Sequence, residues 1–288
     1  MGFQFRVPAM LLRAFARRAE ALGDRHVRTQ TAIRWAAEAP SPGQRAYRLA
    51  AVRRFARHAA AEDPCHEIPP ARVFGPAPPR RLPHIFAQEE IQRLLAAASA
   101  LSPTDSLRPL TYVTLFALLT ATGLRISEAL ALRVDDITPC ALWIRHTKFK
   151  KSRLVPLHDS ARRGLDRYLA RRKRVAGSES ALFVTLRGTP LRYRTVIGTF
   201  LTLVRSTGLR RVPGSPGPRI HDLRHTFAVR SLEACACNTG TVAHHMLALS
   251  TYLGHAHIED TYRYLHATPQ LLRDITDASE ALAQGAAS

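Results

Sequence analysis

Four short stretches between residues 123 and 266 carry side chains that together suit chemistry on a phosphate ester. Arg125 follows a glycine, and Glu128 stands three residues on, one helical turn away. His221 and Arg224 have the same spacing at a predicted helix start, where anions are favoured. An arginine guanidinium is a planar fork that matches phosphate oxygens. An Arg–Glu pair alone is also common on helix surfaces, so it indicates a phosphate site only together with the other stretches.

The lysines are concentrated in one place. The chain has four, and three of them, Lys148, Lys150 and Lys151, lie in a basic stretch that joins two predicted strands. Arginine is a permanent cation, whereas lysine can give up its proton. A reaction that needs a proton donor beside a phosphate would therefore keep a lysine there. The alternative is a basic hairpin that contacts phosphates through charge alone.

A tyrosine near the end of the chain completes the set. Tyr264 lies nine residues after His255, which itself follows a glycine. A phenol is a poor nucleophile at neutral pH unless cations lower its pKa or a base removes its proton. The other three stretches would supply those cations. Tyr262 is the competing candidate for the same role.

The composition indicates a basic but foldable chain. Its 288 residues include 42 Lys+Arg against 22 Asp+Glu, for a formal net charge of +20, and with four lysines this leaves 38 arginines, spread from Arg6 to Arg273. A hydrophobic fraction of 46% argues against a disordered polycation. Such a chain most simply binds a polyanion, and nucleic acid is the usual one. The alternative is an arginine-rich composition that serves solubility.

Several classes of protein are disfavoured. No apolar run approaches the roughly 20 residues of a membrane span. Four cysteines are too few and too scattered for a disulfide framework, which predicts a cytoplasmic, reduced protein. The sequence predicts no cofactor and no metal, because the one Cys/His group with suitable donors does not have a familiar zinc spacing. That group consists of Cys235, Cys237, His244 and His245.

The chain is predicted to have a helical domain at residues 1–64, a basic proline-rich linker at 65–84 and a second domain at 85–288. The clearest helix of the first domain is Pro42 to Ala61, with apolar residues at helical spacing and arginines largely opposite them. Its arginines either bind phosphates or are simply solvated. The candidate phosphate contacts in these two regions are Arg45, Arg48, Arg53, Arg57, Arg80 and Arg81.

The second domain is predicted to be mostly helical with two short strands. A helix begins near Gln88, although Ala87 stands where an N-capping Ser or Thr is expected. A longer helix ends at Gly123, a good C-terminal breaker. The other predicted elements are strands at Cys140–Arg145 and Arg153–Leu157, joined by the basic stretch, and mainly helices from Asp159 onward.

In this order and spacing, the four stretches resemble the tyrosine recombinase (phage integrase) family over residues 85–268. The resemblance implies a mainly α fold with a small antiparallel β-sheet. It implies a helical core-binding domain and a mixed α/β catalytic domain of integrase type that form a C-shaped DNA clamp.

The family's function is implied in the same way. It is site-specific cleavage and rejoining of DNA through a 3′-phosphotyrosyl intermediate, without metal or ATP, for integration, excision or transposition of a mobile element. The expected partner is double-stranded DNA in a bacterial nucleoid, with two recombinases at each site, four in synapsis, and partner recombinases or accessory proteins.

The resemblance also assigns roles. The nine-residue interval from His255 and the position just before His266 favour Tyr264 over Tyr262 as nucleophile. Lys148 stands eight residues before Pro156, as in the family pattern. Lys150 and Lys151 would contact DNA. The implied catalytic residues are Arg125 and Arg224 as phosphate clamps, Lys148 as proton donor, His221, His255 and Tyr264, with Glu128 supporting Arg125.

The sequence departs from the family pattern in one interval, and three other functions remain as alternatives to recombination. The interval from Arg224 to His255 is longer than in compact members, with the extra residues near 233–248, as in recombinases encoded on mobile elements.

A catalytically silent DNA-binding accessory protein would not need a tyrosine nucleophile. A type IB topoisomerase-like enzyme would use the same cleavage chemistry only to relax DNA. A helix-turn-helix repressor would leave the lysines unexplained.

Overall fold

The chain consists of two units, Met1–Arg81 and Leu82–Ser288. In the described part, helices dominate and the paired strands form a two-stranded antiparallel sheet, which confirms the predicted fold class. No helix in that part is long and apolar enough to cross a membrane. The computed structural model describes residues 6–76, 81–145, 152–210, 217–234, 242–254, 259–262 and 264.

The first unit contains helices that pack around a small aromatic and aliphatic core. The rings of Phe15 and Trp35 meet edge to face with centroids 5.6 Å apart, and Val52 is fully buried beside them. The last helix begins where Ser41 Oγ accepts a hydrogen bond from the Gln44 N–H, a normal N-cap. The helices are α1 (Arg6–Ala21), α2 (Thr29–Ala37) and α3 (Pro42–Glu62).

The segment after α3 lies in the predicted proline-rich linker but is bonded to the first unit. Glu67 N–H donates to the carbonyl of Val27 at 2.9 Å, and Phe74 packs against the core of the first unit. Arg53 Nε donates to the carbonyl of Pro69 at 2.9 Å. The prolines interrupt regular structure, but Glu67 and Pro69 form hydrogen bonds with residues of the first unit. Residues 65–76 therefore belong structurally to the first unit.

The second unit is built around α5, whose side chains are buried on nearly all sides. This burial explains its continuous apolar sequence, because an all-apolar helix belongs in a core. Helices α4, α7 and α9 pack against it. The elements are α4 (Gln88–Ser99), α5 (Leu107–Thr122), α6 (Ile126–Ala131), β1 (Ala141–Ile144), β2 (Arg153–Pro156), α7 (Asp159–Ala176), α8 (Tyr193–Ser206), α9 (Asp222–Glu233), α10 (Val242–Leu253) and α11 (Glu259–Tyr262).

The start of α4 shows how a helix begins without an N-capping hydroxyl. The Ala87 N–H donates to Glu90 Oε2 at 2.9 Å, so the third residue of the helix forms the half of a capping box that needs no hydroxyl at the N-cap. The preceding Phe86 is buried, and its N–H donates to Thr226 Oγ1 on α9 at 2.9 Å. The entry to the second unit is thus bonded to the helix that carries Arg224.

Strands β1 and β2 pair antiparallel, with Trp143 opposite Leu154 and Leu142 opposite Val155. Leu142 and Val155 are fully buried, whereas Trp143 and Leu154 are exposed. Side chains alternate across a strand, so Arg153 lies on the same face as buried Val155.

Candidate active site

The turn that ends α5 places the first part of the site. Gly123 has a φ of 61°, and a Cβ there would collide with the ring of Phe227. Glycine is therefore required for both backbone conformation and space. The Gly123 carbonyl accepts a hydrogen bond from Arg224 Nη1 at 2.8 Å, which joins the end of α5 to α9.

Arg125 and Glu128 form the pair that their spacing predicts. The Arg125 N–H donates to Glu128 Oε2 at 3.0 Å, and Arg125 Nη1 donates to Glu128 Oε1 at 2.8 Å. The carboxylate therefore caps α6 and holds the guanidinium as well. The Arg125 side chain is 24% exposed, so it remains accessible to a ligand.

Arg153 is a member of this cluster to which the sequence analysis gave no role. Its Nη1 and Nη2 donate to the two oxygens of Glu128 at 3.2 and 2.9 Å, a bidentate pair. Burial alone would raise the pKa of Glu128, but the hydrogen bond and charge of Arg153, followed by Arg125, outweigh it and lower that pKa. Strand alternation could have revealed Arg153, because it shares a face with a buried valine.

Arg224 is the buried centre of the site. It is 2% exposed, and besides its bond to Gly123 its Nη2 donates to the Leu253 carbonyl at 2.8 Å. Burial, followed by the charge of Arg125, lowers the pKa of Arg224 to about 10. The guanidinium still carries its charge at neutral pH. Two buried carbonyls thus hold it in one orientation.

The turn after α10 is bonded to both arginines. The Leu253 carbonyl accepts from Arg224 and, at 3.5 Å, from Arg125 Nη1, while the Gly254 carbonyl accepts from Arg125 Nη2 at 3.3 Å. Gly254 has a φ of 67°, and a Cβ there would lie 2.9 Å from Arg153 Nη1. These bonds fix the two residues that directly precede His255 in the chain.

Tyr264 is buried in this cluster, with 3% of its surface exposed. Its side chain hydrogen-bonds to that of Arg224, and the ring of His225 meets its ring edge to face with centroids 5.3 Å apart. Tyr262 is 48% exposed. Of the two tyrosines, the one that the resemblance selects is therefore the one in contact with the buried arginine.

His221 lies at the N-terminus of α9, and its ring meets that of His225 edge to face with centroids 4.8 Å apart. Desolvation, then the charges of His225 and Arg224, lower the pKa of His221 to about 4. The residue as a whole is exposed, so solvent screens part of this effect, but its direction keeps the imidazole neutral at pH 7. A neutral ring can donate a hydrogen bond but adds no charge.

The arginines of α3 that were predicted to contact DNA are also used inside the first unit. Three of them are half-buried and donate to backbone carbonyls, whereas Arg57 is exposed. An arginine has five donors, so these bonds are compatible with phosphate contacts. Arg81 is exposed as well. The three bonds are Arg45 Nε to Ala39 (2.8 Å), Arg48 Nη1 to Trp35 (3.3 Å) and Arg53 Nε to Pro69 (2.9 Å).

Other predicted residues lie outside the described part of the chain. They include the proton donor candidate Lys148 and the histidine His255. Of the Cys/His group considered for metal, His244 is exposed and His245 Nε2 lies 3.1 Å from the Ser231 carbonyl. The remaining residues outside the described part are Arg80, Lys150, Lys151, Cys235 and Cys237.

Residues 84–270 match the model of the phage integrase family, which is more than half of the chain. The chain belongs to the phage integrase family. Its enzyme class is that of the tyrosine-type site-specific DNA recombinases, which confirms the resemblance found in the sequence.

Relatives extend the match into the first unit. The Sinorhizobium fredii (strain NBRC 101917 / NGR234) protein that bears the name integrase/recombinase y4rB is 40% identical over 285 residues, covering 95% of this chain and 90% of the relative. Tyrosine recombinase XerD of Caulobacter vibrioides is 35% identical over 253 residues, covering 84% of this chain and 76% of the relative.

Solved structures share the fold at lower sequence identity. The Tn1549 transposon integrase in complex with transposon right-end DNA has a TM-score of 0.66 at 16% identity, covering 98% of this chain and 95% of that chain. A lambda integrase tetramer bound to a Holliday junction has a TM-score of 0.63 at 18% identity, covering 89% and 70%. The integrase fold thus extends over nearly the whole chain.

The buried ion cluster of this integrase-family site leads to a stability prediction. In Glu128→Gln, Arg125 and Arg153 lose the carboxylate that separates their charges. Removing one partner from a buried ion pair typically costs about 3–5 kcal/mol. We expect the free energy of unfolding, measured with urea, to fall by about 3 kcal/mol. Glu89→Gln, at an exposed position on α4, should leave it unchanged, and equal losses in both variants would contradict the assignment.

The lowered pKa of His221 gives a prediction for acid stability. Because its pKa falls from 6.5 in the unfolded chain to about 4 in the folded one, the unfolded state binds the proton first as the pH drops. The free energy of unfolding should therefore decrease across this window more steeply in the wild type than in His221→Gln. Urea unfolding at several pH values measures the difference. The control His58→Gln, exposed on α3, should keep the steep dependence.

Proposed function

We propose that the chain cleaves and rejoins DNA strands through a 3′-phosphotyrosyl intermediate formed by Tyr264. The observation that carries this proposal is the hydrogen bond between Tyr264 and Arg224 inside a buried cluster. A cation beside the phenol favours its deprotonation, and the same cation can bind a phosphate oxygen. The nucleophile and the phosphate-binding group are therefore in direct contact.

The residues divide the cleavage step among them. The Tyr264 oxygen attacks the scissile phosphorus and becomes bonded to it, while the bond to the 5′ oxygen breaks. Arg125 and Arg224 stabilise the charge that develops on the non-bridging oxygens. Lys148 gives its proton to the leaving 5′ oxygen, and His255 assists proton transfer from the tyrosine. These positively charged groups serve where a metal ion serves in other phosphoryl-transfer enzymes.

His221 has a role that differs from simple charge neutralisation. Its lowered pKa keeps it neutral, so it contributes a hydrogen bond to a phosphate oxygen while the arginines contribute the charge. Because His221 is neutral, it adds no further positive charge beside Arg125 and Arg224 when no DNA is bound. Glu128 and Arg153 act on Arg125, whose orientation they hold.

The intermediate conserves the energy of the broken bond. A 5′-hydroxyl of a partner strand attacks the phosphotyrosine, releases Tyr264 and joins two strands without ATP. We propose that this exchange serves integration, excision or transposition of a mobile element in the bacterial nucleoid. The resemblance to the Tn1549 transposon integrase supports that role. The tetramer of lambda integrase on a Holliday junction supports four subunits in synapsis, and a lambda integrase dimer bound to a core site supports two at each site.

A nicked suicide substrate tests the chemistry. Cleavage near the nick releases a short strand that diffuses away, so the covalent complex accumulates. The wild-type protein should form a denaturant-resistant adduct, and the released strand should carry a free 5′-hydroxyl that a polynucleotide kinase can label. Protein joined to a 5′ phosphate, with the new 3′-hydroxyl at the cleaved position, would contradict the 3′-linkage. No adduct on any site would favour the DNA-binding accessory alternative.

The topoisomerase alternative requires a separate experiment. A recombinase should exchange strands between two copies of its site, whereas a type IB topoisomerase relaxes supercoiled DNA that lacks any such site. Relaxation of plasmids without the site, at the rate seen with it, would favour the alternative.

Lys148 gives a prediction that isolates proton donation. Lys148→Arg keeps the positive charge but cannot release a proton, so it should cleave ordinary DNA slowly. When sulfur replaces the bridging 5′ oxygen, it leaves as a thiolate and needs no proton donor. The variant should therefore cleave such a substrate at nearly the wild-type rate. Rates of adduct formation on the two substrates measure the effect. Slow cleavage of both substrates would exclude Lys148 as the proton donor.

A further inference from the structure

Three side chains with metal-binding atoms meet in the first unit, where the connection between α1 and α2 contacts the segment after α3. His26 Nε2 lies 3.0 Å from Asp63 Oδ2. The Cys65 thiol hydrogen-bonds to the same carboxylate. The candidate ligand atoms of the three residues all lie within 4.8 Å of one another, and the Cys65 side chain is exposed. An ion can therefore reach the cluster from solvent.

The backbone beside these side chains is fixed by hydrogen bonds. Val27, next to His26, donates its N–H to His66 Nδ1 at 2.9 Å and accepts from the Glu67 N–H at 2.9 Å. His66 and Glu67 directly follow Cys65 in the chain. Two segments far apart in sequence are thus joined on one side of the cluster, and the positions of its donors do not depend on a metal. Such preorganisation reduces the cost of binding an ion.

The chemistry of the contacts suits a divalent cation. Asp63 accepts hydrogen bonds from His26 and Cys65, which both become metal ligands when the shared proton is removed. Binding of the cation displaces one proton, that of the Cys65 thiol, which passes to solvent, while neutral His26 carries its single proton on Nδ1 and leaves Nε2 free to bind the metal. In tetrahedral zinc sites, ligand atoms lie about 3.3–3.8 Å apart. The spacing in the cluster requires only small side-chain movements to reach this geometry.

We propose that His26, Asp63 and Cys65 form a zinc site in which a water molecule is the fourth ligand. One nitrogen, one carboxylate oxygen and one thiolate are ligands that zinc accepts together. The two anionic ligands balance the charge of the ion in this arginine-rich unit. The site stabilises the unit by linking the α1–α2 connection to the end of α3. The sequence predicts no metal, and its only candidate group was Cys235, Cys237, His244 and His245.

Cobalt(II) titration of the full chain tests the proposal. The metal-free, reduced protein should bind one Co²⁺ with a thiolate-to-cobalt charge-transfer absorption band, and added Zn²⁺ should displace it. Cys65→Ser should lose the band. Cys140→Ser, which alters an exposed cysteine of the second unit, should keep it. No band in the wild type, or a band that persists in Cys65→Ser and disappears in Cys235→Ser/Cys237→Ser, would overturn the proposal.

Thermal unfolding provides a second measurement. Zinc should raise the unfolding midpoint of the wild type, since a ligand that binds only the folded state stabilises it. His26→Gln should unfold cooperatively and show no shift with zinc, whereas His58→Gln should show the wild-type shift. An equal shift in His26→Gln would overturn the assignment of His26 as a ligand. Neither measurement depends on DNA cleavage, so failure here leaves the proposed recombinase chemistry unaffected.

Discussion

Tyr264→Phe should form no covalent adduct with a nicked suicide substrate, whereas Tyr262→Phe should form it at the wild-type rate. The substitution removes a single oxygen from a side chain that is 3% exposed, so the packing of the ring against His225 is retained. Losing the hydrogen bond to the charged Arg224 costs roughly 1.5–3 kcal/mol of stability, less than the roughly 5–15 kcal/mol that stabilise a typical protein. The entire loss of adduct then reflects the missing nucleophile.

DNA binding provides the necessary control for this result. Because phosphate contacts from many cations dominate affinity for DNA, Tyr264→Phe should bind the site as tightly as the wild type at equal salt concentration. Electrophoretic mobility shifts measure the binding, and gel electrophoresis under denaturing conditions measures the adduct. An adduct that persists in Tyr264→Phe and disappears in Tyr262→Phe would transfer the role to the exposed tyrosine.

Local pattern predicted much of the fold and of the site. The spacing of Arg125 and Glu128 indicated a pair on one helical turn, and the structure contains that pair with both backbone and side-chain bonds. Gly123 indicated the end of a helix, and α5 ends there in the left-handed conformation. These features depend on residues close in sequence, where dihedral preferences and helical periodicity act directly.

Features that depend on distant segments were missed. Arg153 on β2 bonds to Glu128, which lies 25 residues earlier on α6. Strand periodicity predicts the face on which Arg153 lies but contains no information about this partner. The segment from 65 to 76 was predicted as part of a semi-extended linker at 65–84, because it is rich in prolines and has almost no periodicity. Its carbonyls and its Glu67 side chain nevertheless find partners on the first unit, and a pattern of prolines does not identify those partners.

Arg224→Lys should reduce the rate of adduct formation about 10²–10³-fold, the typical cost of losing one group that stabilises transition-state charge. The guanidinium spans the Gly123 and Leu253 carbonyls and still reaches Tyr264. An ammonium group is a compact charge that cannot extend to several acceptors in a fixed plane. The variant keeps the positive charge, so the loss of cleavage rate reflects the missing planar geometry of the guanidinium. Single-turnover cleavage measures this rate.

Arg230→Lys is the matched control, because Arg230 lies on the same helix and also donates to a buried part of the chain. Its Nη2 donates to the Phe86 carbonyl at 3.0 Å and its Nη1 to Gln88 at 2.9 Å, contacts that hold the entry to the second unit. Both variants should lose some stability, but only Arg224→Lys should lose cleavage at saturating DNA. If the two variants cleave at the same rate, Arg224 is a structural residue of α9, and charge stabilisation must come from Arg125 alone.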